Sequence, residues 1–170
     1  MSERTDKIVK GAREAIRSAV GEIREQVEAF CANEQGVAGE DLASWLKNWV
    51  KSVDEIEEEV NEFVGDTEAG DVERRAAALR AITMTAAAES DLQTIASVQT
   101  LGLTASPAGA IGSGALSGLI GWFQKMFKRI WNHLWILISH LTNVKEWSVK
   151  FSVSMGFLPG GGGEIEIKFG

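Results

Sequence analysis

No acidic residue stands between Asp91 and Glu146, and from Leu92 to Gln124 there is no charge of either sign. Soluble domains carry charge on nearly every solvent-facing element, so the gap excludes an ordinary solvated surface for this stretch. A membrane surface or a large buried interface suits it better. Tyrosine is absent, Cys31 is the single cysteine, and His133 and His140 are the two histidines. So thin a set leaves little for acid–base or nucleophilic chemistry, which predicts a protein that is not an enzyme, with no cofactor and no small-molecule substrate. A lone cysteine cannot form an intramolecular disulfide, and Cys31 reads as a buried thiol on a helix. The N-terminus lacks the apolar h-region of a Sec-type signal peptide, which predicts a cytoplasmic protein, peripheral to or inserted in a membrane on activation. No apolar run reaches the length of a strong transmembrane helix; residues 108–124 come nearest and are rich in Gly, Ala and Ser.

Charge is present but unevenly placed. The 170 residues sum to −7, yet residues 1–100 hold 11 Lys+Arg against 21 Asp+Glu, and residues 101–170 hold 6 against 3. An acidic part followed by a weakly basic, aromatic part suggests two tasks and argues against nucleic acid, whose phosphates need a dense positive surface. The chain divides accordingly into an acidic helical bundle over 1–100, a Gly/Ala/Ser-rich segment over 101–118, and an aromatic helix with a β-hairpin over 119–170.

The fold class is mainly α. Apolar residues at spacings of three and four predict a first helix over 4–31 on Ile8, Ala12, Ala15, Ala19, Ile23, Val27 and Phe30. A second, over about 40–64, shows a clean a/d pattern of Leu42, Trp45 or Leu46, Trp49, Val53, Ile56, Val60 and Phe63. A third, over about 72–100, opens after Asp71 as N-cap and carries Val72, Leu79, Ile82, Ala86, Leu92, Ile95 and Val98. Short loops between the three imply an antiparallel bundle, and the alanines over 76–88 let a neighbouring helix approach closely.

A fourth, hydrophobic amphipathic helix is expected over about 116–142. Its apolar face runs through Leu119, Ile120, Phe123, Met126, Phe127, Ile130, Leu134, Leu137, Ile138 and Leu141. Whether 102–118 is loop or helix stays open on the sequence, since small residues suit a linker and a close helix contact alike. Beyond Glu146 the period changes to two: Trp147, Val149, Phe151, Val153, Met155 and Phe157 alternate with Ser, Lys and Gly, and Ile165, Ile167 and Phe169 alternate with Glu and Lys. With Pro159 and four glycines between them, the two runs read as a β-hairpin. A two-stranded hairpin is barely stable alone, so its apolar face needs a helix, another subunit or lipid.

Patterns that resemble chemical sites fail on context. His133 and His140 are seven residues apart with no acid nearby, which does not make a zinc helix. The acids Asp54, Glu55, Glu57, Glu58, Glu59 and Glu62 lie between apolar a/d positions and read as a solvated face. Gly112 to Gly118 has neither the preceding strand nor the following acid of a dinucleotide loop.

The candidate site is therefore a surface. Lys125, Lys128 and Arg129 stand among Trp122, Phe123, Phe127, Trp131 and Trp135, with Trp147 and Phe151 in the first strand. Cations draw anionic headgroups while Trp rings settle at the boundary of water and acyl chains. These residues predict a non-enzymatic, self-associating, membrane-active protein able to form a pore, with a homo-oligomer and an anionic membrane as partners. The alternative is a soluble homo-oligomeric interaction or scaffold protein whose C-terminal helix and hairpin form the subunit interface. In general plan, though in no residue motif, the layout is similar to helical pore-forming toxins and small bacterial death-effector proteins. The trigger, the stoichiometry and the target membrane are not written in the sequence.

Overall fold

The computed structural model describes residues 3–33, 39–65, 70–103 and 109–141, with side chains over 3–32, 42–64, 70, 72–97 and 116–141, and the backbone of 147–154 and 162–169. It is mainly helical: α1 (Glu3–Asn33), α2 (Gly39–Gly65), α3 (Asp71–Leu103) and α4 (Gly109–Leu141) form a bundle in which α1 packs on α2 and α4, and α3 on α2 and α4. The ring order is thus α1, α2, α3, α4, and the fourth helix is a full wall of it. Among the residues described with their side chains there is no strand, and the hairpin expected over 147–169 lies outside them.

Polar contacts fix the antiparallel register. From α1 to α2, Arg13 donates to Asn61, Arg17 pairs with Glu57 and Arg24 with Asp54, so one helix descends as the other rises. Between α2 and α3, Trp49 Nε1–H donates to the Ala88 carbonyl at 2.8 Å and Arg80 pairs with Glu59 at 2.7 Å. The acidic run of α2 is therefore not merely a solvated face: Glu55, Glu58 and Glu62 are exposed, whereas Asp54, Glu57 and Glu59 clamp neighbouring helices, and Glu59 is buried.

The core faces follow the sequence pattern unevenly. On α2, Leu42, Leu46, Trp49, Val53, Ile56, Val60 and Phe63 are all buried, as the a/d pattern implies. On α1 the buried face is Val9, Ala12, Ile16, Ala19, Val20, Ile23, Val27 and Cys31, while Ile8, Ala15 and Phe30 are half-buried at its edge. On α3 the correction is larger. Its core stripe is Ala77, Ala78, Ala81, Ile82, Thr85, Ala88, Leu92 and Ala96, and the expected Val72 and Leu79 are exposed. Alanines give a thin wall on which α2 and α4 both rest closely, and the hydroxyl buried with them, on Thr85, donates to the Ala81 carbonyl at 2.7 Å.

Helix ends also differ from expectation. At α3 the cap is Gly70: its carbonyl accepts Arg74 N–H and its own N–H donates to Glu73 Oε2 at 2.8 Å, the Glu half of a capping box. Helix α4 begins at Gly109 rather than near Leu116, so the tail of the Gly/Ala/Ser tract is helical. Pro107 lies two residues before that start, at the kind of position where proline precedes a helix without interrupting it.

Candidate functional site

Built up from α4, the expected surface resolves into an inner face, two edges and an outer strip. Phe123, Phe127, Ile130, Leu134, Leu137 and Ile138 are fully buried and form the inner face. Phe123 and Phe127 meet Trp49 of α2 across the core, with ring centroids 5.0 and 5.9 Å apart, and Trp49 in turn stacks on Trp45. These apolar side chains face the protein's own interior.

The edges carry the half-buried groups. On the α1 side Trp122 leans edge-on against Phe123, and Arg129 pairs with Glu22 of α1 at 2.9 Å. Arg129 is thus not an unmatched cation; its acid comes from a helix more than a hundred residues earlier. On the α3 side the Trp131 Nε1–H donates to Glu89 Oε2 at 2.9 Å. Sequence reasoning placed Trp49 in the core of the second helix but missed Glu22 and Glu89; Glu89, the last acid but one before the uncharged stretch, was the available signal.

Lys125, Lys128, Asn132 and Trp135 share the outer strip, since Lys125 to Asn132 and Lys128 to Trp135 are each two turns apart. Both lysines are exposed, and Trp135 is 41 % exposed. No acid belongs to α4 at all. The described structure therefore brings Lys125, Lys128 and Trp135 together on one surface and sends Phe123 and Phe127 to the opposite one. The side chains of Trp147 and Phe151 lie outside the described residues.

The remaining polar features serve the fold. Cys31 is buried, and burial pushes its thiol pKa up, away from the reactive thiolate. No group of three or more His, Cys, Asp or Glu among the described residues could hold a metal ion. Among them, too, no helix is long and apolar enough to cross a membrane. An open groove of about 410 Å³ runs along α1 past Glu14, Ser18, Gly21 and Glu25, a helix face rather than a converging site.

His133 is the exception among the titratable groups. Its Nδ1 is buried without a hydrogen-bond partner among the described residues, and its pKa is lowered from 6.5 by desolvation first and by the Arg129 charge second. The unfolded chain then binds the proton more readily than the folded one. His133 favours folding fully above pH 6.5, and that contribution is lost as pH falls from 6.5 towards the lower folded-state pKa. The urea midpoint is expected to drop between pH 7.5 and pH 5.5, and the drop to shrink in His133→Gln; an identical drop in the variant would assign it to other groups.

The fold and surface together define the class: an antiparallel four-helix bundle with a cation–tryptophan strip on its last helix. No protein-family model, curated protein or solved structure matches the chain.

Proposed function

We propose that this chain is a non-enzymatic, self-associating, membrane-engaging protein in which the bundle encloses the apolar face of α4 and a C-terminal β-hairpin provides the contact between subunits. The observation that carries this reading is the division of α4, an acid-free helix with its aromatic face enclosed and Lys125, Lys128 and Trp135 turned outwards. Each lysine near an anionic surface contributes about 1 kcal/mol, and an interfacial Trp adds to it, so the strip supports peripheral contact without unpacking. Insertion is a different matter. Exposing the six fully buried side chains of α4 costs on the order of 10 kcal/mol, comparable to the whole stability of a domain, so pore formation requires a trigger that opens the bundle.

The hairpin reading rests on the period-two alternation of Trp147, Val149, Phe151 and Val153, and of Ile165, Ile167 and Phe169, on either side of Pro159 and four glycines. The test is flotation with anionic vesicles together with dye leakage, using the full chain and Lys125→Glu/Lys128→Glu. Binding by the parent and its loss in the variant support membrane engagement; equal binding by both sinks the role of the strip. Leakage beyond binding points to a pore.

The enclosed face of α4 favours a second reading, a soluble oligomeric scaffold assembled through the C-terminus. A defined oligomer that ignores vesicles would select it.

A further inference from the structure

Over residues 81–88 α3 carries no charge, and the groups that bound this stretch are of opposite sign, Arg80 before it and Glu89 and Asp91 after it. Ala76, Arg80, Thr83, Ala87, Asp91 and Thr94 recur at spacings of three and four and share one side of the helix. This side is turned towards α2, because Arg80 pairs there with Glu59, while Glu89 on the other edge holds Trp131 of α4. Thr83, Ala87, Asp91 and Thr94 are exposed. The Thr83 and Thr94 hydroxyls donate to the Leu79 and Ser90 carbonyls of their own helix, so between its charges this side presents small groups. Beside it, the outer strip of α2 carries Asn48, Lys51, Glu55, Glu58 and Glu62, all exposed. There too a cation precedes the anions.

The two sets of charges are centred on one level of the bundle. The midpoint of Lys51 and Glu55 is Val53, and that of Arg80 and Asp91 falls between Thr85 and Ala86. Contacts between the helices relate these levels independently. Counting antiparallel from Trp49 and Ala88 puts Val53 level with Met84, and counting from Glu59 and Arg80 puts it level with Ala86. The midpoints therefore coincide to within about 2 Å along the bundle. A two-fold axis lying across α2 and α3 at that level reverses a second copy, setting α2 against α2 and α3 against α3. Lys51 then meets the partner's Glu55 and Arg80 the partner's Asp91, and the same pairs form again with the roles exchanged.

We infer that the α2–α3 face binds the same face of a second copy, antiparallel, about a two-fold axis level with Val53. Arg80 can serve both contacts. Its side chain stays 53 % exposed while paired with Glu59, and a guanidinium has donors enough for a second carboxylate. Packing favours the same orientation, since the small side chains of α3 meet one another and the helices approach closely. A parallel pair would instead set α2 against α3, with Lys51 level with Ala87 and Glu55 level with Thr83, so neither would meet its opposite charge. The antiparallel pair is isologous and closes on itself. It rests on neither the cation–tryptophan strip of α4 nor the C-terminal strands, and so goes beyond the reading above.

Sedimentation of the full chain over a concentration series tests it, beside Lys51→Glu, the charge exchange Lys51→Glu/Glu55→Lys, and Ala87→Trp. All three positions are exposed, and urea midpoints check that each bundle is retained, which matters because Lys51 and Glu55 are also one turn apart in α2. The smallest associated species is expected to be a dimer. Lys51→Glu, which sets acid against acid, is expected to weaken it at least about tenfold, and the exchange to restore it. Ala87→Trp holds the two α3 helices apart and is expected to weaken it by a similar factor. A full chain that stays monomeric overturns the inference. Association that ignores both Lys51→Glu and Ala87→Trp overturns it too, and moves self-association to another part of the chain, the C-terminal strands first. Weakening by Lys51→Glu that the exchange leaves unrepaired overturns the antiparallel pairing.

Discussion

Phe127→Ala is expected to lower the unfolding free energy by about 3–5 kcal/mol, the usual cost of emptying a large buried aromatic site. Phe127 has no solvent exposure, and its ring meets Trp49 of α2 within the core that α4 shares with α1 and α3. Against a typical domain stability of about 5–15 kcal/mol, that loss removes a large fraction of what holds the bundle together. Urea unfolding measures it, as a fall in midpoint at unchanged slope. Phe127→Leu, which keeps most of the volume, is expected to lose less. A Phe127→Ala change below about 1 kcal/mol would mean that the inner face of α4 is not enclosed in solution, and would return that face to lipid or a partner.

Trp49→Ala is the second large effect, again about 3–5 kcal/mol, because this one side chain joins three helices. Its ring stacks on Trp45 within α2 and lies against Phe123 and Phe127 of α4, and its indole N–H donates to the Ala88 carbonyl of α3. Trp49→Phe separates the parts. It removes the donor without leaving an unsatisfied buried group, so the loss is expected to be smaller, about 1–2 kcal/mol. Combining Trp49→Phe with Phe123→Ala should reveal a coupling of about 0.5–1.5 kcal/mol, since the two rings touch. Strict additivity would show that the contact is absent in solution.

How far the sequence could be read depended on side-chain size. On α2 large residues occupy each a/d position, so one face dominated and the buried set was legible. On α1 alanines at 12, 15 and 19 fit two neighbouring faces, and the pattern settled one residue away from Val9 and Ile16. On α3 the pattern misled, because periodicity weights bulk: Val72 and Leu79 stood out, while the wall that packs is Ala77, Ala78, Ala81 and Ala88. The apolar face of α4 was read correctly, but amphipathicity says that a face must be covered and not by what. Acids that lie far away in the chain, Glu22 and Glu89, anchor its two edges, and their roles emerge when the helices are side by side.

The seams of the bundle are not of one kind. The α1–α2 seam is pinned along its length by Arg13, Arg17 and Arg24, whereas α4 is held chiefly by its aromatic and aliphatic side chains. Added salt screens exposed ion pairs and leaves apolar attachment intact. The bundle therefore has an ionic grain: raising salt slackens the α1–α2 seam while leaving the attachment of α4 in place.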